Sequence, residues 1–184
     1  LDNLGTKLTE PLFDRIHNFK EGFARFYMDN KYGFINTKGD IIVAAKYQNH
    51  DDMFFSEGLA SVGIADKFGF VNTSGQEVVA VKYDYPAKIT NGLARVKLNN
   101  KWGYIDKKGN VSIAIKYDAV WFFEDNKALV VSNKIPYYIN RKGEIIRKAN
   151  ELANVEITDD RISYDQKNTS VTKKNNYSTK TTIN

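Results

Sequence analysis

Apolar and polar residues alternate along "VSIAIKY" (111–117), placing Ile113, Ile115 and Tyr117 on one face and Ser112, Ala114 and Lys116 on the other. A period of two is the signature of a half-buried strand. The same phase returns in Val79, Val81 and Tyr83, and in Val43, Ala45 and Tyr47. Two more alternating segments precede each of these. In the best-formed copy, "LARVKL" (93–98) leads through Asn99-Asn100 into "KWGYID" (101–106). A two-residue Asn-Asn loop suits a type I′ hairpin, because both central positions need φ > 0 and Asn tolerates that better than most residues. The implied register sets Leu98 against Lys101, Val96 against Gly103 and Ala94 against Ile105, with Gly69 opposite Val62 and Gly33 opposite Phe26. Each glycine is expected to leave room for its bulky cross-strand neighbour.

These elements recur. Gly39, Gly75, Gly109 and Gly143 are spaced by 36, 34 and 34 residues, and three positions before each stands Asn36, Asn72, Asp106 or Asn140. An Asx side chain can accept an N–H two residues on, and glycine closes a type I turn in the left-handed region without a Cβ clash. Carried backward, the pattern aligns Asp2, Gly5 and Phe13 with Asn36, Gly39 and Tyr47, so the chain is expected to open within a repeat that continues upstream. Phe19, Phe55, Ile89 and Phe123 share one aligned position in the connections and are expected to plug the gaps between repeats. Gly22, Gly58, Gly92 and Asn126 follow, types that reach left-handed conformations, and then the small residues Ala24, Ala60, Ala94 and Ala128.

The predicted fold is all-β: tandem three-stranded antiparallel meanders in an open superhelical or propeller-like array. A single small meander buries too little apolar surface to stand alone, so neighbours must stack. The expected units are a partial repeat at 1–13, repeats at 14–47, 48–83 and 84–117, and a degenerate capping repeat at 118–146. In that last copy Pro136 cannot donate to a ladder, so "KIPYYI" (134–139) is expected at an edge. Residues 147–184, rich in Asn, Thr, Lys and Ser, are expected to form a flexible polar, basic tail, with an added edge strand as the alternative. "NTS" at 168 and "NYS" at 176 match a glycosylation acceptor, a match that such composition produces by chance.

The phrase "GLARVKLNNKWGYIDKKGNVSIAIKYD" (92–118) resembles the WG, or KWG, repeat of bacterial proteins. The marks are "FSEGLA" (55–60), "KWGYID" (101–106) and the closing Lys-Tyr, over residues 1–146; Tyr32 and Phe68 stand where Trp102 does. The resemblance implies β-repeat arrays in modular bacterial proteins with an interaction or scaffold role, and it carries no catalytic residues onto this chain.

Composition narrows the chemistry. Of the net charge of +5, residues 161–184 contribute five Lys or Arg and one Asp, leaving +1 for 1–160. Nucleic-acid binding by the repeats is not expected, since phosphate recognition needs concentrated positive charge. There is no cysteine for a disulfide or thiolate site, and no apolar run of membrane-spanning length. His17 and His50 lack metal-ligand spacing and are read as exposed loop histidines; no cofactor or metal is implied. The acidic pairs Asp51/Asp52 and Asp159/Asp160 read as solvated turns.

Two features could form binding surface. Lys46, Lys82 and Lys116 recur at one position, which stacking would line up as a basic stripe, or simply as a solvated face that discourages edge pairing. Trp121 and Phe122 stand where other copies have His17, Met53 and Ala87, and Asn18, Phe54 and Lys88; positions that vary on a repeating frame are where such proteins place recognition residues. Burial of Trp121 against the capping repeat is the competing reading. The expected function is a non-catalytic protein-interaction or scaffold module of a larger protein, in the cell envelope or secreted rather than cytoplasmic. A glycan- or peptidoglycan-binding surface is the alternative, and an enzyme with a carboxylate-based site the third.

Overall fold

The computed structural model describes residues 13–85 and 87–150 in full, and the backbone of four further strands within 152–182. Sheet one comprises β1 (Arg15–Ile16), β2 (Phe23–Met28), β3 (Lys31–Asn36) and β4 (Ile41–Tyr47). Sheet two comprises β5 (Phe55–Ser56), β6 (Leu59–Ile64), β7 (Lys67–Asn72) and β8 (Glu77–Tyr83). Sheet three comprises β9 (Ile89–Thr90), β10 (Leu93–Leu98), β11 (Lys101–Asp106) and β12 (Val111–Tyr117). Sheet four comprises β13 (Ala119–Val120), β14 (Lys127–Ser132), β15 (Ile135–Asn140) and β16 (Ile145–Lys148). Each is antiparallel with strands in chain order, so every unit is the expected meander plus a short leading strand. No helix among the described residues is long and apolar enough to cross a membrane.

The hairpin register holds: Leu98 faces Lys101, Val96 faces Gly103 and Ala94 faces Ile105, with Val62 opposite Gly69 and Phe26 opposite Gly33. Asn99 and Asn100 have φ of 51° and 61°, as a type I′ turn requires. The Asx corners also form as read: Gly39 N–H donates to Asn36 O at 3.1 Å and Lys38 N–H to Asn36 Oδ1 at 2.9 Å, a pair of bonds repeated at Asn72, Asp106 and Asn140.

Cores lie between consecutive sheets. Phe34, Val43 and Tyr47 of sheet one pack with Phe55, Ala60, Val62 and Val71 of sheet two. Leu59, Phe70 and Val79 pack with Ile89, Val96 and Ile105 of sheet three. Trp102, Tyr104 and Ile113 pack with Phe123, Val130 and Ile139 of sheet four. Each large apolar side chain so buried contributes about 1.5–3 kcal/mol, and every one depends on a neighbouring unit. The corner glycines dock into the sheet before: a Cβ on Gly75 would lie 2.0 Å from Ile42 O, and on Gly143 3.1 Å from an Ile113 methyl.

Several expectations are revised. A Cβ on Gly69 or Gly103 would first meet backbone of the following strand, Val79 O at 2.4 Å and Ile113 O at 2.7 Å. These glycines therefore admit the bulged strands β8 and β12 rather than a cross-strand side chain; at Gly33 both Val43 O and the Phe26 ring crowd the position. Phe55, Ile89 and Phe123 are buried as plugs, but Phe19 is 49% exposed, because no earlier sheet walls it among the described residues. The strand carrying Pro136 is interior, between β14 and β16. Pro136 O accepts from Ala149 N–H, so the missing donor points past the end of β16, where no ladder bond is lost. Finally, the backbone forms strands where composition predicts a flexible tail: β17 (Leu152–Thr158), β18 (Arg161–Gln166), β19 (Thr169–Lys174) and β20 (Tyr177–Thr182). They pair in order as a fifth meander, for which the Thr, Val, Ile and Tyr content supplies β-propensity. The glycosylation-like asparagines and Asp159/Asp160 lie outside the described residues.

Candidate interaction surface

Two different kinds of surface arise from one repeat. On the outer strands, Lys46, Lys82 and Lys116 are all exposed, and each ammonium stands over the adjoining tyrosine ring, at 5.1, 5.3 and 5.4 Å from Tyr47, Tyr83 and Tyr117. This position is the same in three sheets. The segments that lead into β2, β6, β10 and β14 are different in every copy.

Trp121 is 9% exposed and packs with Ala119, Leu129, Val131 and Ala149 inside sheet four. Its reading as a surface aromatic is corrected: the residue is part of a core, and its carbonyl accepts the Tyr104 hydroxyl at 2.5 Å. Burial pushes Tyr104 far above the usual phenol range, so the hydroxyl keeps the proton it donates. Phe122 is half-buried beneath the Arg95 guanidinium at 3.8 Å, with Lys88 at 5.8 Å. Arg95 itself is 3% exposed and donates to Val120 O at 3.4 Å.

The motif recurs at the first junction with other residues. Lys20 Nζ lies 3.6 Å over the Phe54 ring, and Arg25, the aligned equivalent of Arg95, donates to Asn49 Oδ1 at 3.0 Å and His50 O at 3.2 Å. Asp52 lies within electrostatic reach of Lys88, Arg95 and Lys20. Burial raises its pKa, against the opposing pull of these three cations, so it is not the solvated turn acid expected. His50 is likewise no exposed loop histidine: its ring stands edge-on to Phe68 at 5.2 Å, and burial lowers its pKa to about 4. The pKa of His17 is lowered by burial and by Arg25 and Arg15, and its ring lies tilted to that of Tyr32 with centroids 6.1 Å apart. Among the described residues no group of three or more His, Cys, Asp or Glu could hold a metal ion.

A cavity of about 340 Å³ opens at this junction, lined by His17, Asn18, Phe19, Lys20, Phe23, Arg25, Phe34, Asp51, Met53 and Phe54. Of the sequence candidates, Phe122 thus belongs to the variable row, Trp121 lies behind it, and the three lysines lie on the outer strands. Sequence reading missed Lys20, Arg25, Asp52 and Arg95. The available signal was the column Arg25, Ser61, Arg95, Leu129, which changes character while its neighbours repeat.

Carboxylates link one repeat to the next. Glu21 accepts the Glu57 N–H at 3.0 Å and Gly58 N–H at 3.3 Å, and Glu57 accepts Gly92 N–H at 3.0 Å. Partial burial pushes Glu57 up, but the Lys107 ammonium and the Gly92 and Asn91 amides bring it below its ordinary value. Asp84 pairs with Lys67 and caps Asn99 N–H at 2.8 Å; Asp118 pairs with Lys101 at 2.6 Å and caps Asn133 N–H at 2.6 Å.

A family model described as WG containing repeat matches residues 1–32, 32–68, 68–102 and 102–134. No curated protein sequence matches the chain. Among solved structures, Hsv2p of Kluyveromyces lactis is similar over 88% of this chain and 60% of its own, at 12% identity and a TM-score of 0.43. The WD40 domain of SCAP from fission yeast is similar over 82% of this chain and 49% of its own, at 8% identity and a TM-score of 0.34. The chain spans less than two thirds of either.

Proposed function

Because the chain belongs to the WG-containing repeat family, we propose that it serves as a non-catalytic protein-interaction or scaffold module. The observation that carries this reading is the division of labour within the repeat. Apolar residues hold the aligned positions where consecutive sheets touch, whereas the inner connections present Lys20 on Phe54 at one junction and Arg95 and Lys88 on Phe122 at another. Cationic and aromatic groups that vary on a constant frame are suited to binding macromolecular surfaces. The glycan alternative rests on Trp121 and Phe122 as exposed aromatics; the first ring is buried and the second is half-buried beneath Arg95.

The test is partner capture with a photo-crosslinking residue at Asn18 or Lys88, against the same residue at Lys142 on an outer corner. Specific, saturable adducts from the inner positions are expected. Equal labelling from all three, or a substrate turned over by the purified chain, overturns the reading.

A further inference from the structure

On the basis of that interaction reading, we propose that the cavity between sheets one and two docks a segment of an acidic partner peptide. An apolar side chain enters the cavity, and a neighbouring carboxylate seats on Lys20. Three observations converge on this junction.

The first is an insertion. Seven residues separate Tyr47 from Phe55, whereas five separate Tyr83 from Ile89 and Tyr117 from Phe123. The 36-residue glycine spacing is therefore a longer connection, not a longer strand. The segment Asn49–Asp52 turns at the cavity mouth, where Met53 N–H bonds to His50 O at 3.2 Å and Phe54 N–H to Asp52 O at 2.9 Å. Arg25 reaches across from sheet one to hold Asn49 and His50. A mouth fastened from both sides is preformed, which lowers the entropic cost of binding.

The second is an apolar lining. Phe19, Phe23 and Phe54 line the cavity and offer a wall that a guest side chain would cover. A volume of about 340 Å³ is at the small end for ligand pockets, which suits one side chain better than a folded partner element.

The third is charge. Lys20, Arg25, Lys88 and Arg95 face the inner connections against Asp51 and Asp52, and Lys20, Lys88 and Arg95 all act on Asp52. The described contact of Lys20 is the Phe54 ring, which leaves ammonium donors for an incoming carboxylate. Asp51 in the lining repels a second carboxylate, so the acid belongs at Lys20 and the apolar group inside. Residues 161–184, with five Lys or Arg and one Asp, carry the wrong charge to compete for this surface.

The test is fluorescence anisotropy of the full chain with a labelled nonapeptide, Gly-Ser-Asp-Glu-Phe-Glu-Asp-Ser-Gly, and its counterpart with Lys at each acidic position. Saturable binding of the acidic peptide alone is expected, weakened about tenfold or more by Lys20→Glu or Phe54→Ala and within about twofold of the parent for Lys38→Glu. Lys20 is exposed, so Lys20→Glu keeps the test valid even where Phe54→Ala fails to fold. No binding of the acidic peptide, equal binding of the basic one, or full binding by Lys20→Glu overturns the proposal. Loss on Lys46→Glu with retention on Lys20→Glu also overturns it, while leaving the interaction reading intact; that reading falls on the crosslinking experiment instead.

Discussion

The outer corner and the inner connection of each repeat are built from the same stretch of chain length yet obey different rules. At the corner, Asn36, Asn72, Asp106 and Asn140 make the same two bonds and are followed by a glycine with φ between 78° and 88°. At the connection, the aligned residues Asn18, Phe54, Lys88 and Phe122 differ in every copy, and Lys20 covers Phe54 where Arg95 and Lys88 cover Phe122. The corner is constant because one turn must close in every unit. The connection varies where the core does not dictate the side chain.

The largest effect should come from the corner. Gly75→Ala combines a positive φ with a Cβ 2.0 Å from Ile42 O, so a loss of about 3 kcal/mol or more is expected in chemical denaturation. Gly39→Ala has the same strain but, among the described residues, no atom within 4 Å, and should lose only about 1 kcal/mol. Equal losses would show that inter-sheet fit is not what the corner glycine protects.

The connection should respond to pH instead. His50 is held at about 4 by burial, below its ordinary 6.5, so the folded state resists its protonation while the unfolded chain accepts the proton. Stability from this group is complete above about pH 6.5 and falls by about 2–3 kcal/mol as pH drops toward 4. Asp52, raised by burial, acts in the opposite sense, adding stability as pH falls through its raised value toward 3.8. His50→Gln should flatten the slope between pH 6.5 and 4; an unchanged slope would place the sensitivity elsewhere.

Smaller effects refine the contrast. Asp84→Ala removes the Lys67 ion pair and the Asn99 cap together and should cost about 1 kcal/mol, read as a lower denaturation midpoint. Ala65→Asn relieves a left-handed alanine (φ 49°) and should raise stability by about 0.5–1 kcal/mol. Lys82→Ala, on the outer stripe, should stay within about 0.5 kcal/mol in the same assay, as befits a solvated position.

Most of the scaffold was readable because its determinants are local. The Asn99-Asn100 turn sets the register of β10 and β11, and the Asx-to-glycine spacing sets the repeat. What escaped depends on contacts between units. The short leading strands β1, β5, β9 and β13 are only two residues each, too short for periodicity to register. Pro136 looked like an edge residue because its missing donor was visible and the direction of that donor was not. Composition argued against order after residue 146, with an added edge strand as the alternative, yet the ladder Gln166↔Thr169, Asp165↔Ser170, Tyr164↔Val171 is the pairing that Thr- and Val-rich alternation allows. The interaction surface was harder still. Lys20, Phe54 and Asp52 meet only after two sheets have packed, and a two-residue excess in spacing and a few columns that vary were the traces they left in the sequence.

The aspartate that follows the closing Lys-Tyr of the second and third sheets has a consequence for how such a chain can be cut or spliced. Asp84 and Asp118 each hold a lysine of the sheet they leave and a turn amide of the sheet they enter. A module boundary drawn at Tyr83 or Tyr117 would strand a cation on one fragment and an unclosed hairpin on the other. The transferable cassette runs from one such clasp to the next, and a grafted repeat should arrive with its own aspartate to seat in the unit it joins.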